Sequence, residues 1–215
     1  MEAASLSVPN LPAYEGMHLR DLVIAVGAGV VVALLVEVVR RLASGIAGSG
    51  QARLGLPVVL VGGALAVGAL ALLVDGLGAS SQDVLFSGQA SIPGLVTEDS
   101  TRIVLILIVA KALAYAICLG CGFRGGPVFP AIFLGIAVTI VATLAFDVSP
   151  TLAVAVGTAA GTTAMTRLIF ASVLFAALLV GTTGLDAVPA AALAAVTAWL
   201  TMALIDERYP VRRRL

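Results

Sequence analysis

The sequence predicts an all-α, polytopic membrane protein in which full-length helices are mixed with broken, half-membrane ones. Three observations carry this. Sixty per cent of the 215 residues are hydrophobic and 11% are charged, against about 45–50% and 25% in a soluble domain. The apolar residues gather in runs close to the roughly 20 residues that a membrane-spanning helix needs. Glycine and proline then interrupt those runs where lipid would penalise open backbone. The surplus apolar surface faces lipid, and a multi-pass protein of the cell membrane is expected.

Residues 1–21 form a polar N-terminal segment, with none of the pattern of a signal peptide. The membrane domain is expected over 22–205, followed by a basic tail over 206–215. Its first span is Leu22 to Val39, with Glu37 at the helix end and Arg40 and Arg41 beyond it. The small residues of "ASGIAGSGQAR" read as a linker to a second span, Leu56 to Val74. The polar stretch "DGLGASSQDVLFSGQASIPGLVTEDSTR" reads as a connection outside the membrane, with a short surface helix at its apolar patch, Val84 to Phe86. From Ile103 to Ile205 the chain is almost continuously apolar. Arg124, Asp147, Arg167, Asp186 and Asp206 punctuate it, and Pro150, Gly157, Gly161, Gly181, Gly184 and Pro189 break it into short helices. The four arginines of "DERYPVRRRL" favour a cytoplasmic C-terminus, and Arg40, Arg41 and Arg53 draw the first linker to the same side.

Formal net charge is zero, which leaves no basic face for nucleic acid. Cys118 and Cys121 make a CxxC, but two thiols with the one histidine, His18, cannot close a four-ligand zinc site. They read as small buried residues, with no metal and no cofactor. No HExxH, Ser–His pair or carboxylate cluster suggests an enzyme.

The segment "LGCGFRGGPVFPAIFLG", Leu119 to Gly135, holds five glycines, two prolines and an arginine between apolar runs. One helix, starting near Ile103, is expected to stop at Gly120 to Gly122, where glycine tolerates a left-handed cap. A second is expected to start near Pro127, since proline suits a first helical turn. Gly125, Gly126, Pro127 and Pro130 then shape the break. The N–H groups of Val128 and Phe129 lack intrahelical partners and, with the helix dipole, can hold an anion. Discontinuous helices aimed at an anion are a transporter device; the competing reading is a packed Gly/Pro kink.

"KALAYAICLGCGFRGGPVFPAIFLG" resembles the second-half signature of the CLC chloride channels and chloride/proton exchangers. Lys111, Gly125, Gly126, Pro130, Leu134 and Gly135 match in register. "VGTAAGTTAMTRLIFASVLFAALLVGTTG" resembles a second signature of that family through Gly157, Ala159, Ala160, Thr166, Arg167 and Gly181. The resemblance covers nearly the whole chain but only the C-terminal half of the family, one inverted repeat. It implies transport of chloride, or another small anion, by a channel or a chloride/proton exchanger. It further implies anion binding by the amides of Val128 and Phe129 and by a tyrosine hydroxyl, for which Tyr209 is the candidate by position.

Val128 stands where the family has phenylalanine, and Leu178 where it often has glutamate. The Gly-Ser-Gly-x-Pro and Gly-x-Glu-Gly-Pro signatures are absent, so transport implies a missing N-terminal half, supplied by a longer gene product or by a separately encoded partner. The alternative is a truncated, non-conducting membrane scaffold or remnant. A homodimer in membrane lipid is also implied, with Gly27, Gly29, Ala171, Ala176, Ala177 and Ala190 to Ala192 permitting close helix approach. Lys111 lies within an apolar run, and Arg124 and Arg167 lie beside glycine breaks or helix joints. Lys111 supports either an anion path or a local carbonyl pairing, and Arg124 and Arg167 read as boundary residues.

Overall fold

A computed structural model describes residues 7–14, 16–146 and 148–208. The described chain is helical: α1 Leu19–Leu54, α2 Leu56–Gly76, α3 Ser81–Leu85, α4 Ile92–Val96, α5 Thr101–Cys121, α6 Val128–Phe146, α7 Pro150–Thr166, α8 Ile169–Val180, a 3-10 turn Gly181–Ala187, and α9 Val188–Arg208. Among the described residues, five stretches are long and apolar enough to cross a membrane: Leu19–Gly48, Leu56–Gly76, Thr101–Cys121, Val128–Phe146 and Ile169–Arg208. The last joins α8, the 3-10 turn and α9. At 12 residues, α8 rises only about 18 Å, a half-span. The protein is therefore a multi-pass membrane protein of mixed full and broken helices.

The first span differs from expectation. "ASGIAGSGQAR" is not a linker, because α1 runs through it for 36 residues and ends at Gly55, whose φ of 79° precedes the Pro57 start of α2. Each glycine there costs the helix about 1 kcal/mol against alanine but does not by itself end it, and the turn signal lies later, at Gly55 and Pro57. Glu37 accordingly sits inside α1 rather than at its end. It is buried, and the guanidinium groups one turn on neutralise it: Arg41 Nε donates to Glu37 Oε1 at 2.7 Å and Arg40 Nη1 to Oε2 at 3.4 Å.

At the centre lies α7, against α6, α9, α8 and α1. Thr151 to Ala164 are all buried, so this helix has no lipid-facing stripe. Its alanines, glycines and threonines are small enough for neighbouring backbones to approach closely, the device membrane helices use where lipid removes the hydrophobic drive. Gly135 of α6 meets Gly157, and Ala131 meets Gly161; the two helices are antiparallel. Thr139 hydroxyl donates across the same seam to the Ala153 carbonyl at 2.7 Å. Gly29 of α1 lies against Ala194 and Thr197 of α9, while Arg40 lies 3.9 Å from Asp206, so α1 and α9 run parallel.

These contacts define two ends. Gly120 of α5 packs on Ala43 and Ile46 of α1, which puts the end of α5, the start of α6 and the C-termini of α7 and α9 at one end. Arg40, Arg41, Arg124, Arg167 and Arg208 belong to that end. Asp75, Glu98, Asp99 and Asp186 lie at the far end with Arg20 and Arg102. Arg40 and Arg41 share an end with Arg208, the described arginine of the basic tail, because α1 and α9 are parallel; Arg212, Arg213 and Arg214 lie outside the described residues.

The N-terminal segment lies across the far end. Val8 N–H donates to the Leu179 carbonyl at 2.8 Å, Tyr14 N–H to the Thr183 carbonyl at 3.1 Å, and Thr151 hydroxyl to the Pro12 carbonyl. Tyr14 hydroxyl donates to Asp21 at 2.6 Å. Burial, with that carboxylate beside it, holds the Tyr14 phenol above its ordinary range, so it stays a donor.

Candidate functional site

The break between α5 and α6 is a true interruption, not a kink. Gly122 caps α5 in the left-handed region at φ 82°, with its N–H on Leu119 and the Phe123 N–H on Cys118. Residues 123–127 are non-helical, and α6 starts at Val128. Glycine supplies the positive φ without the Cβ clash an L-residue suffers there. Gly125 and Gly126 face open space: a Cβ on either would meet nothing within 4 Å.

The first turn of α6 now admits an account of its donors. A helix leaves its first four N–H groups without intrahelical partners. Here the four positions are Pro127, Val128, Phe129 and Pro130, and two of them have no N–H at all. The free donors reduce to the adjacent amides of Val128 and Phe129, both half-buried. Phe129 is fixed edge-on against Phe175 of α8, centroids 5.9 Å apart.

Tyr115 was not among the sequence candidates. Its hydroxyl donates to the Pro127 carbonyl at 2.6 Å, from inside α5 and across the break. A tyrosine buried in a span needs a partner for its hydroxyl, which was the one signal available. Tyr115→Phe should remove about 1 kcal/mol of stability, a fall of roughly 2–4 °C in Tm, and speed amide exchange at Val128 and Phe129. Unchanged exchange would show that Tyr115 does not position the break.

Lys111 is buried and donates to the carbonyls of Asp83 at 2.6 Å, Val84 at 3.4 Å and Phe86. An ammonium has three donors, and here all three are taken. It also sits 5.2 Å from the Phe133 ring centroid. The carbonyl-pairing reading therefore holds, and Lys111 offers no N–H to an anion. Arg167, left-handed at φ 65°, ends α7 and pairs with Asp206 at 2.6 Å, a boundary residue as expected. Arg124 stands exposed within the break. Cys121 is buried against Gly63 and Cys118 is half-buried. Tyr209 lies outside the described residues.

The break is open on one side of the single chain: Gly122, Phe123, Arg124, Gly125 and Gly126 are exposed. Of the small residues expected at a dimer face, Gly29, Ala176, Ala190 and Ala191 are instead buried within the chain; Gly29 packs on α9. Gly27 and Ala171 remain exposed.

The family model described as voltage gated chloride channel matches residues 4–203. No curated protein and no solved structure matches the chain.

Proposed function

The chain belongs to the voltage gated chloride channel family, and from that premise we propose that it forms part of a path for chloride or another small anion across the cell membrane. The observation that carries this reading is the pair of free amides, Val128 and Phe129, at the start of a broken helix between flanking prolines. Their dipoles point positive charge into the break without a mobile cation. An anion held this way is attracted without being trapped by an ion pair, and it can leave again.

Two such hydrogen bonds to a charged acceptor are worth about 3–6 kcal/mol together. Taking a carboxylate-sized ion out of water into a dry interior costs on the order of 20 kcal/mol. Further donors or retained water must complete the shell. The exposed side of the break, Gly122 to Gly126, is the place for them, and we assign it to the half that carries the N-terminal signatures, on a longer gene product or on a separate polypeptide. Homodimerisation, whether as channel or exchanger, would use faces other than the small residues already buried within the chain. The arginine-rich end bearing the break faces the cytoplasm by the positive-inside tendency.

Chloride efflux from vesicles tests the reading. The protein extracted from its native membrane with its accompanying polypeptides is expected to release chloride, and the purified chain alone to release little. No release from either preparation defeats the transport function and leaves a non-conducting scaffold.

A further inference from the structure

The stretch between α2 and α5 is expected from its composition to lie outside the membrane, yet its middle is deep in the bundle. Gly88, at φ 90°, packs so closely on Phe133 that a Cβ there would meet the ring at 2.9 Å. Phe133 is thirteen residues from the far end of α6 at Phe146, about 20 Å of helix. It is only five residues, about 7–8 Å, from the first free amide at Val128. Lys111, whose Nζ holds the carbonyls of Asp83, Val84 and Phe86, is ten residues below the Thr101 start of α5, about 15 Å. The segment is re-entrant.

Its tip is irregular and mixed, with exposed Leu85 and Phe86 leading into the polar Ser87 and Gln89. Ser87, Gln89 and Ala90 are exposed. Non-helical backbone at membrane depth persists only where it is covered by protein or lines water. Two cavities flank the tip. One, of about 370 Å³, runs between Ser7 and Pro9 of the N-terminal segment and Ser87, Gln89 and Pro93. The other, of about 340 Å³, is lined by Gln82, Asp83, Ser87 and Ser91 together with Phe86. Both carry polar groups, and neither includes a residue of the α5–α6 break.

We propose that Ser80–Val96 is the wall of a water-filled vestibule that enters from the far end and closes at the Gly88–Phe133 contact, with Lys111 as the positioning residue that pins it. The vestibule serves the anion path proposed above and rests on that reading for what travels through it. Its floor lies within two turns of the α6 amides. Lys111 acts by holding three carbonyls that would otherwise face an apolar interior, not by meeting the anion.

The test is thiol accessibility in intact cells, in a Cys118→Ala, Cys121→Ala background. Ser87→Cys and Gln89→Cys are expected to react with a charged, membrane-impermeant methanethiosulfonate added outside. Their rates should exceed that of Leu65→Cys, exposed on α2 toward lipid, by roughly 100-fold, since only a hydrated thiol ionises to the reactive thiolate. Rates as low as that of Leu65→Cys would overturn the vestibule. Lys111→Met is expected to speed amide exchange across residues 82–91 at least about tenfold while exchange in α7 stays slow; unchanged exchange in that segment would overturn the pinning. Thiol accessibility and chloride flux fail separately, so a labelled but non-conducting protein keeps the vestibule and removes the anion.

Discussion

Gly157→Ala should lower the thermal stability of the folded protein steeply. A Cβ at that position would stand 2.6 Å from the carbonyl carbon and oxygen of Gly135 and 2.6 Å from Ile136 Cα. These are backbone atoms in α6, and no side chain can swing aside to make room. Overpacking a core costs about 1–3 kcal/mol even where side chains can yield, so the upper end or beyond applies here. That is a fall of roughly 6–12 °C in Tm for a chain of this size. The seam also holds the first turn of α6 in place through Ala131 on Gly161, so any surviving protein should have a displaced break. Thermal unfolding in detergent, read by size exclusion after heating, measures the effect. Gly62→Ala, where a Cβ meets nothing within 4 Å, is the control and should behave like the parent. Equal stability of the two variants would contradict the α6–α7 packing.

The second large effect is on transport. Val128→Pro removes one of the two free amides yet leaves a residue suited to the first turn of a helix. The residue before a proline is pushed towards extended backbone, and Pro127 already lies outside α6, so the helix start should survive. The lost hydrogen bond to a charged acceptor is worth about 1.5–3 kcal/mol, or roughly 10–100-fold in anion affinity. Chloride efflux at low chloride should fall by that factor. Val128→Ala keeps the amide and should conduct nearly as the parent does. Normal efflux from a folded Val128→Pro protein would mean that the ion does not use these donors.

How far the sequence reveals this molecule depends on which residues decide each element. Helix breaks set by glycine and proline were legible: Gly122, Pro127 and Pro150 all stand within a residue of where a helix ends or begins. The first linker misled because glycine, serine and alanine mark a loop only when something else terminates the helix, and α1 continues to Gly55. The re-entrant segment misled for a different reason. Its polarity is that of an exposed loop, whereas its depth is set by Lys111, 25 to 28 residues away along the chain. No local pattern records such a contact. Of the two readings of Lys111, its three carbonyl partners bear out the carbonyl pairing.

At the candidate site, the donors Val128 and Phe129 were legible because proline removes its own N–H and so labels which amides remain. Tyr115 was not, since its value comes from an across-the-break bond to Pro127. The unit is thus a helix start whose donors are fixed by sequence and whose position is fixed by packing.

Anomalous scattering from bromide-soaked crystals of the protein with its accompanying polypeptides bears most directly on this. A bromide peak is expected within hydrogen-bonding reach of both the Val128 and Phe129 nitrogens, lost in Val128→Pro. A well-phased map with no peak there, or with the α6 amides turned towards lipid, would contradict it.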